Sequence, residues 1–166
     1  MYTQMESKYK LVFFPHEILN KPTMKVEKFD YELVEVLEYM NKIMTERRGI
    51  GIAANQIGVP FSLFLLLNPK TMEVAEIINP EIISTEGNQM FNEGCLSAPG
   101  IFVQTKRPQS VHFKYQTRTG EQKEGVVEGV EAVSFMHEYG HLQGEMFLVH
   151  TTRQQRNYAL RKMGMK

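Results

Sequence analysis

Two histidines four residues apart flank a glutamate in His137-Glu138-Tyr139-Gly140-His141, an H-E-x-x-H pattern. Residues at i and i+4 share one face of a helix, so both imidazoles can reach the same ion. The carboxylate beside them can take the proton of an attacking water. The plainer alternative is a helix carrying two unrelated histidines. The chain has five histidines in all, and two of them stand at the required spacing around a glutamate. Val130, Val133 and Phe135 make the predicted helix apolar and place it in the interior. Two buried imidazoles need partners there, and a metal ion is the simplest one.

A catalytic site of this kind usually draws three ligands from the protein and keeps one position open. Downstream of the helix the candidates for the third are Glu145 and His150; upstream stands Cys95, the sole cysteine, in Glu93-Gly94-Cys95-Leu96-Ser97-Ala98-Pro99-Gly100. A thiolate is a good soft ligand. A lone cysteine is also commonly a small buried hydrophobe, but the stretch around Cys95 reads as irregular backbone near a sheet. A third segment, Gly49-Ile50-Gly51-Ile52-Ala53-Ala54-Asn55-Gln56, is rich in small residues. A dinucleotide loop would need a strand before it and a helix after it, and here a helix precedes it. Two readings of this segment stand: a tight turn with a surface glutamine, or backbone approaching a ligand closely with Gln56 as an amide donor.

The elements that must position these groups follow from periodicity. An extended arm runs to about residue 25, with a turn at Asn20-Lys21-Pro22. Phe29, Leu33, Leu37, Met40 and Met44 recur at helical spacing, predicting a helix from Val26 to Arg48 that ends on Arg47 and Arg48 with Gly49 beyond. Residues 49–58 read as a loop, and Phe61 to Leu67 as a buried strand. Strands Val74–Ile78 and Glu81–Ser84 are expected on either side of a break at Asn79-Pro80. Val111–Tyr115 and Gln122–Glu128 form a hairpin about Thr119-Gly120. Helices are predicted over Val130–Leu142, stopping at Gly144, and over Thr152–Met163. The fold class is α+β: antiparallel strands with a buried, motif-bearing helix packed on them.

The 166 residues suit one domain, 1–166, with 42% hydrophobic and 23% charged residues. Nineteen basic residues balance nineteen acidic ones, which gives no electrostatic reason for nucleic acid or an anionic membrane as the main partner. No apolar run approaches the ~20 residues of a membrane span. The N-terminal residues show no secretory signal pattern, and a single cysteine cannot form an internal disulfide. A cytoplasmic setting is the expectation. The basic tail with Arg153, Arg156, Arg161, Lys162 and Lys166 reads as a solvated helix face.

Taken together, GIGIAANQ at Gly49–Gln56, EGCLS at Glu93–Ser97 and HEYGH at His137–His141 resemble, in order and spacing, the three motifs of the peptide deformylase family. The arm and first helix are similar to the family's N-terminal region as well. The resemblance implies small antiparallel sheets around a central metal-binding helix. It implies Cys95, His137 and His141 as ligands of one divalent ion, Fe2+ or else Zn2+ or Ni2+. Glu138 becomes the general base that passes its proton to the leaving amine, and Gln56 with the backbone N–H of Leu96 holds the formyl oxygen. Gly51 and Gly94 would border the substrate, with Ile50, Phe91, Val130 and Val133 as candidates for the methionine pocket. The implied partner is an N-formylmethionyl nascent peptide, met as it leaves the ribosome, with a transient ribosome contact and a monomeric enzyme. Formylated starts place it in a bacterial cytoplasm, its gene cellular or phage-borne.

Three positions depart from the family pattern: Gly140 where Asp is common, Met136 where Gln is common, and Phe102 where an Arg is common. The metal, base and oxyanion set is complete despite them. Two rival readings remain. A metallopeptidase cutting internal bonds would need a third His or Glu ligand and leaves EGCLS unexplained. A deformylase-like protein that binds nascent chains with little catalysis would be insensitive to loss of Glu138.

Overall fold

The computed structural model describes residues 8–165. The first seven residues of the expected arm, and Lys166 of the basic tail, lie outside them. The first long helix, α1, spans Tyr31–Glu46, five residues later than its predicted start. The delay has a local cause. Asn79 grips the backbone of Val26, accepting from its N–H and donating to its C=O, each at 2.8 Å. Val26 is thereby tied by both backbone groups to a side chain of a neighbouring strand and is not free to enter the helix. Asp30 then caps the helix by accepting from the Leu33 N–H at 3.3 Å. The predicted stripe Leu33, Leu37, Met40 and Met44 is buried.

Strands β1 (Gly51–Ala53), β2 (Leu63–Leu67), β3 (Val74–Glu86), β6 (Ser110–Gln116) and β7 (Gln122–Glu128) form one antiparallel sheet in the order β1-β2-β3-β6-β7. The unbroken apolar run of β2 is explained by burial on both faces. Leu63 and Leu65 pack with the α1 stripe, while Phe64 and Leu66 pack with α2 (Val130–Leu142) on the other side. There Phe135 meets Phe64 edge to face, with ring centroids 5.2 Å apart. Asn79-Pro80 does not break a strand: β3 runs through it, with a register shift between Ile78 and Glu81 and Asn79 at φ 51°. A bulge of this kind absorbs a residue that has no N–H to donate.

The segment expected to be irregular around Cys95 is a second, two-stranded sheet: β4 (Gln89–Cys95) turns at Leu96-Ser97 into β5 (Ala98–Arg107). From Ile101 onward β5 alternates buried and exposed residues, and its inward set is Ile101, Val103, Thr105 and Arg107. The inward threonine and arginine hide this strand from an apolar-periodicity reading. Residues 49–58 also hold more structure than a loop: after β1 comes a 3-10 turn, Ala54–Ile57, closed by Gly58 at φ 82°. A last helix, α3 (Arg153–Lys162), is capped by Thr152 and packs against β5.

Candidate metal centre

Helix α2 lies against β1, β2 and β7 and carries His137, Glu138 and His141 inward. The β4–β5 turn brings Cys95 to the same point. One donor atom each from Cys95, His137 and His141 lies within 4.8 Å of the others, and Cys95 Sγ stands 3.3 Å from His141 Nε2. Metal–sulfur bonds of ~2.3 Å and metal–nitrogen bonds of ~2.0–2.1 Å put tetrahedral donors roughly 3.3–3.6 Å apart, so the set fits one small divalent ion. Glu145 and His150, the other candidates for the third ligand, instead face each other at 3.6 Å on the partly exposed segment beyond α2.

A buried polar layer orients the ligands. Glu93 accepts from His137 Nδ1 at 2.6 Å, which fixes the tautomer and turns Nε2 toward the donors of Cys95 and His141. The same carboxylate takes two bonds from Arg107, Nε at 3.0 Å and Nη2 at 2.8 Å, and one from the Thr105 hydroxyl. Burial opposes the charge of Glu93, but the hydrogen bonds from His137 and Arg107 outweigh it and lower its pKa to about 2. The sequence motif contains Glu93 without announcing this role. The available clue was the inward-facing Arg107 on β5, since a buried guanidinium requires an acid.

The two imidazoles titrate in opposite directions. Burial disfavours the charged form of His137, yet the Cys95 sulfur and the Glu138 and Glu93 carboxyls raise its pKa well above the ordinary value. Burial, and then the proximity of His137, lower His141 well below it. Glu138 is 2% exposed, its Oε1 lies 3.8 Å from His137 Nε2, and burial pushes its pKa up to about 7. Among the described residues its Oε2 has no hydrogen-bond partner, so one carboxyl oxygen stands available for a substrate or water proton. Gly51 makes this approach possible: a Cβ there would sit 3.0 Å from Glu138 Cγ and 3.3 Å from Oε2.

Gln56 is buried rather than a surface residue of a turn. Its Oε1 accepts from the Ala53 N–H at 2.9 Å, so its amide nitrogen points to Ser97 Oγ at 3.1 Å and Cys95 Sγ at 3.7 Å. The neighbouring Asn55 ties this turn to α2 through the His141 carbonyl at 2.7 Å. An open cleft of about 470 Å³ leads to this point, and Ile50, Gly51, Gln56, Phe91, Gly94, Cys95, Leu96, Val133, His137 and Glu138 all line it. Val130 does not: it sits in the first turn of α2, 39% exposed, outside the lining, because α2 presents its next turn, Val133 and Ser134, to the cleft. Phe102 is an exposed rim residue whose ring covers Gly94, where a Cβ would come within 2.6 Å of it. Gly140 has space around it, its nearest neighbour being the Glu145 carbonyl at 3.7 Å from an added Cβ.

An H-E-x-x-H helix with a cysteine placed where a third donor would stand, a buried carboxyl beside it and an open cleft fit the anatomy of a mononuclear metallohydrolase. Comparison with known proteins makes this specific. Residues 8–157 match the model of the polypeptide deformylase family. The chain is 40% identical over 157 residues to a peptide deformylase of Aquifex aeolicus, covering 92% of each. It is 38% identical over 144 residues to one from Wolinella succinogenes, covering 83% of this chain and 85% of that relative. Among solved structures, a peptide deformylase from Synechococcus elongatus superposes with a TM-score of 0.90 at 31% identity, over 95% of this chain and 89% of the other. One from Legionella pneumophila gives 0.88 at 36%, over 93% and 92%. The chain belongs to the peptide deformylase family, whose members are metal-dependent enzymes that remove N-formyl groups from nascent peptides.

Proposed function

We propose that this chain hydrolyses the formyl amide of peptides beginning with N-formylmethionine, releasing formate and a free amino terminus. The observation that carries the reading is the convergence of Cys95, His137 and His141 beside Glu138, whose Oε2 has no hydrogen-bond partner among the described residues, at the inner end of an open cleft. Cys95, His137 and His141 would hold one divalent ion, which when bound would supply Lewis-acid polarisation of the formyl carbonyl and of the attacking water. One thiolate and two imidazoles suit ferrous iron, zinc and nickel alike; on the family resemblance we assign Fe2+ as the physiological ion.

Glu138 takes the proton of the attacking water and delivers it to the departing amine nitrogen. A carboxyl lifted toward neutrality by burial is well matched to both transfers. The Gln56 amide, locked by Ala53, and the Leu96 backbone N–H hold the formyl oxygen as it gains charge. The substrate lies along the open edge of β1, with Gly51 and Gly94 admitting its backbone. Ile50, Phe91 and Val133 form the wall against the methionine side chain. The chain acts as a monomer with one catalytic domain, on nascent chains near the ribosome exit, in the cytoplasm of a bacterium or of a phage-infected one. Among the described residues no helix is long and apolar enough to cross a membrane.

Formate release from formyl-Met-Ala-Ser tests the reading. Metal-loaded protein should release formate, and Glu138→Ala should abolish release while the ion stays bound. A fully loaded protein that leaves formyl-Met peptides untouched would contradict it, and retention of full activity in Glu138→Ala would remove Glu138 from the mechanism.

A further inference from the structure

Helix α1 ends at the mouth of the cleft in a way its sequence does not require. The Gly49 N–H bonds the Met44 carbonyl at 2.9 Å and the Arg48 N–H bonds the Thr45 carbonyl at 3.2 Å. This is a Schellman ending, and the residue in the left-handed position is Arg48, at φ 54°. The sequence leads one to expect Gly49 there. Glycine is the residue this position favours, and a side chain in left-handed backbone is strained.

Arg47 and Arg48 both line the cleft and are exposed, and neither guanidinium forms an ion pair among the described residues. Nearby Glu46 is taken by Lys42 at 3.9 Å. The other chargeable lining residues, Glu93, Cys95, His137 and Glu138, sit on the floor, so among the described residues the two arginines are the exposed charges of this cleft. Cations at a helix C-terminus do complement its dipole. That accounts for the charge but not for an arginine in the left-handed position one residue before a glycine. Strain retained beside a binding cleft points to a role in binding.

The geometry points to selection of acidic peptides: Arg47 and Arg48 bind carboxylate side chains in the second to fourth residues of the formylated substrate. The inference rests on the deformylase reading of the cleft. With the formyl group between Gln56, Cys95 and Glu138, a peptide along the β1 edge passes Gly51 and Ile50 and then reaches Arg48 and Arg47. Arg48 stands three residues before Gly51, so the two lie at most roughly 10 Å apart, within reach of the residues after methionine.

The test compares kcat/KM for formyl-Met-Ala-Asp-Asp and formyl-Met-Ala-Ala-Ala, both as C-terminal amides. Two exposed ion pairs should favour the acidic peptide about three- to tenfold, carried in KM, and the ratio should fall toward one in high salt. The double variant R47Q/R48G should lose the ratio in low salt as well. Arg48→Gly relieves the left-handed strain, so its Tm should equal or exceed that of the parent; were the double variant to unfold, R47Q alone should at least halve the ratio. A ratio of one for the native protein in low salt overturns the inference while formate release leaves the deformylase reading standing. A ratio untouched by the variants overturns it too, as does an effect of the variants confined to retention on ribosomes. Loss of activity on both peptides in the native, metal-loaded protein would instead mean that the deformylase reading had failed.

Discussion

The floor and the rim of the cleft are built on opposite rules. On the floor the polar groups are buried or half-buried and most are tied to a partner: Glu93 is held by His137, Arg107 and Thr105, and Gln56 by Ala53 and Ser97. Among the described residues Glu138 Oε2 is an exception, and it is the oxygen the proposed proton transfer needs. At the rim Arg47, Arg48, Ile50 and Phe102 are exposed and touch few partners. Reaction chemistry needs fixed donors in a low dielectric, whereas recognition of a varied peptide needs side chains that can adjust. The floor keeps the motif residues Gln56, Glu93, Cys95, His137, Glu138 and His141, the departure at Phe102 falls on the rim, and those at Met136 and Gly140 lie on α2 outside the cleft lining. Substitutions on the floor should therefore act on kcat, metal affinity or stability, and substitutions on the rim on KM.

The largest effect expected is that of Glu138→Ala: kcat for formyl-Met peptides should fall about 10²–10⁴-fold, the usual worth of a general acid–base group, with metal content unchanged. Next comes Arg107→Met, which strands the buried Glu93 charge. Breaking such a pair costs about 3–5 kcal/mol, so thermal unfolding should move down by roughly 6–20 °C. Gly51→Ala sharpens the contrast further. Its Cβ, 3.0 Å from Glu138 Cγ, must displace the base, so a roughly ten- to hundredfold loss in kcat is expected with Tm little changed. The smallest effect is Phe102→Ala at the rim, where Tm should hold within the ~0.5 kcal/mol typical of surface sites and steady-state kinetics should show a change of a few-fold in KM alone. A large fall in kcat for Phe102→Ala would erase the distinction between floor and rim.

Sequence reading went far on the floor because its residues are tied to spacing. The i, i+4 histidines fix one another's direction once α2 is recognised, and α2 spans the predicted Val130–Leu142. Cys95 as third donor was one option among three on chemistry alone, and it took the β4–β5 turn to bring the sulfur 3.3 Å from His141. That turn was illegible for a physical reason: the inward positions of β5 include Thr105 and Arg107, which break the apolar alternation that Ile101 and Val103 begin and by which a half-buried strand is recognised. The same two residues make the Glu93 network. The late start of α1 was hidden similarly, since Asn79 holds Val26 out of the helix from 53 residues away along the chain. Val130 was misplaced by its proximity in sequence to the motif, although its side chain emerges on the exposed side of the first turn.

Elemental analysis of anaerobically purified protein tests the centre of this account most directly. The native chain and the rim variant Phe102→Ala should each hold one divalent ion per polypeptide, and Cys95→Ala should hold far less while remaining folded. A full equivalent of tightly bound metal in Cys95→Ala would contradict it, because the ion would then be held by donors other than the sulfur that β4 brings to the two imidazoles.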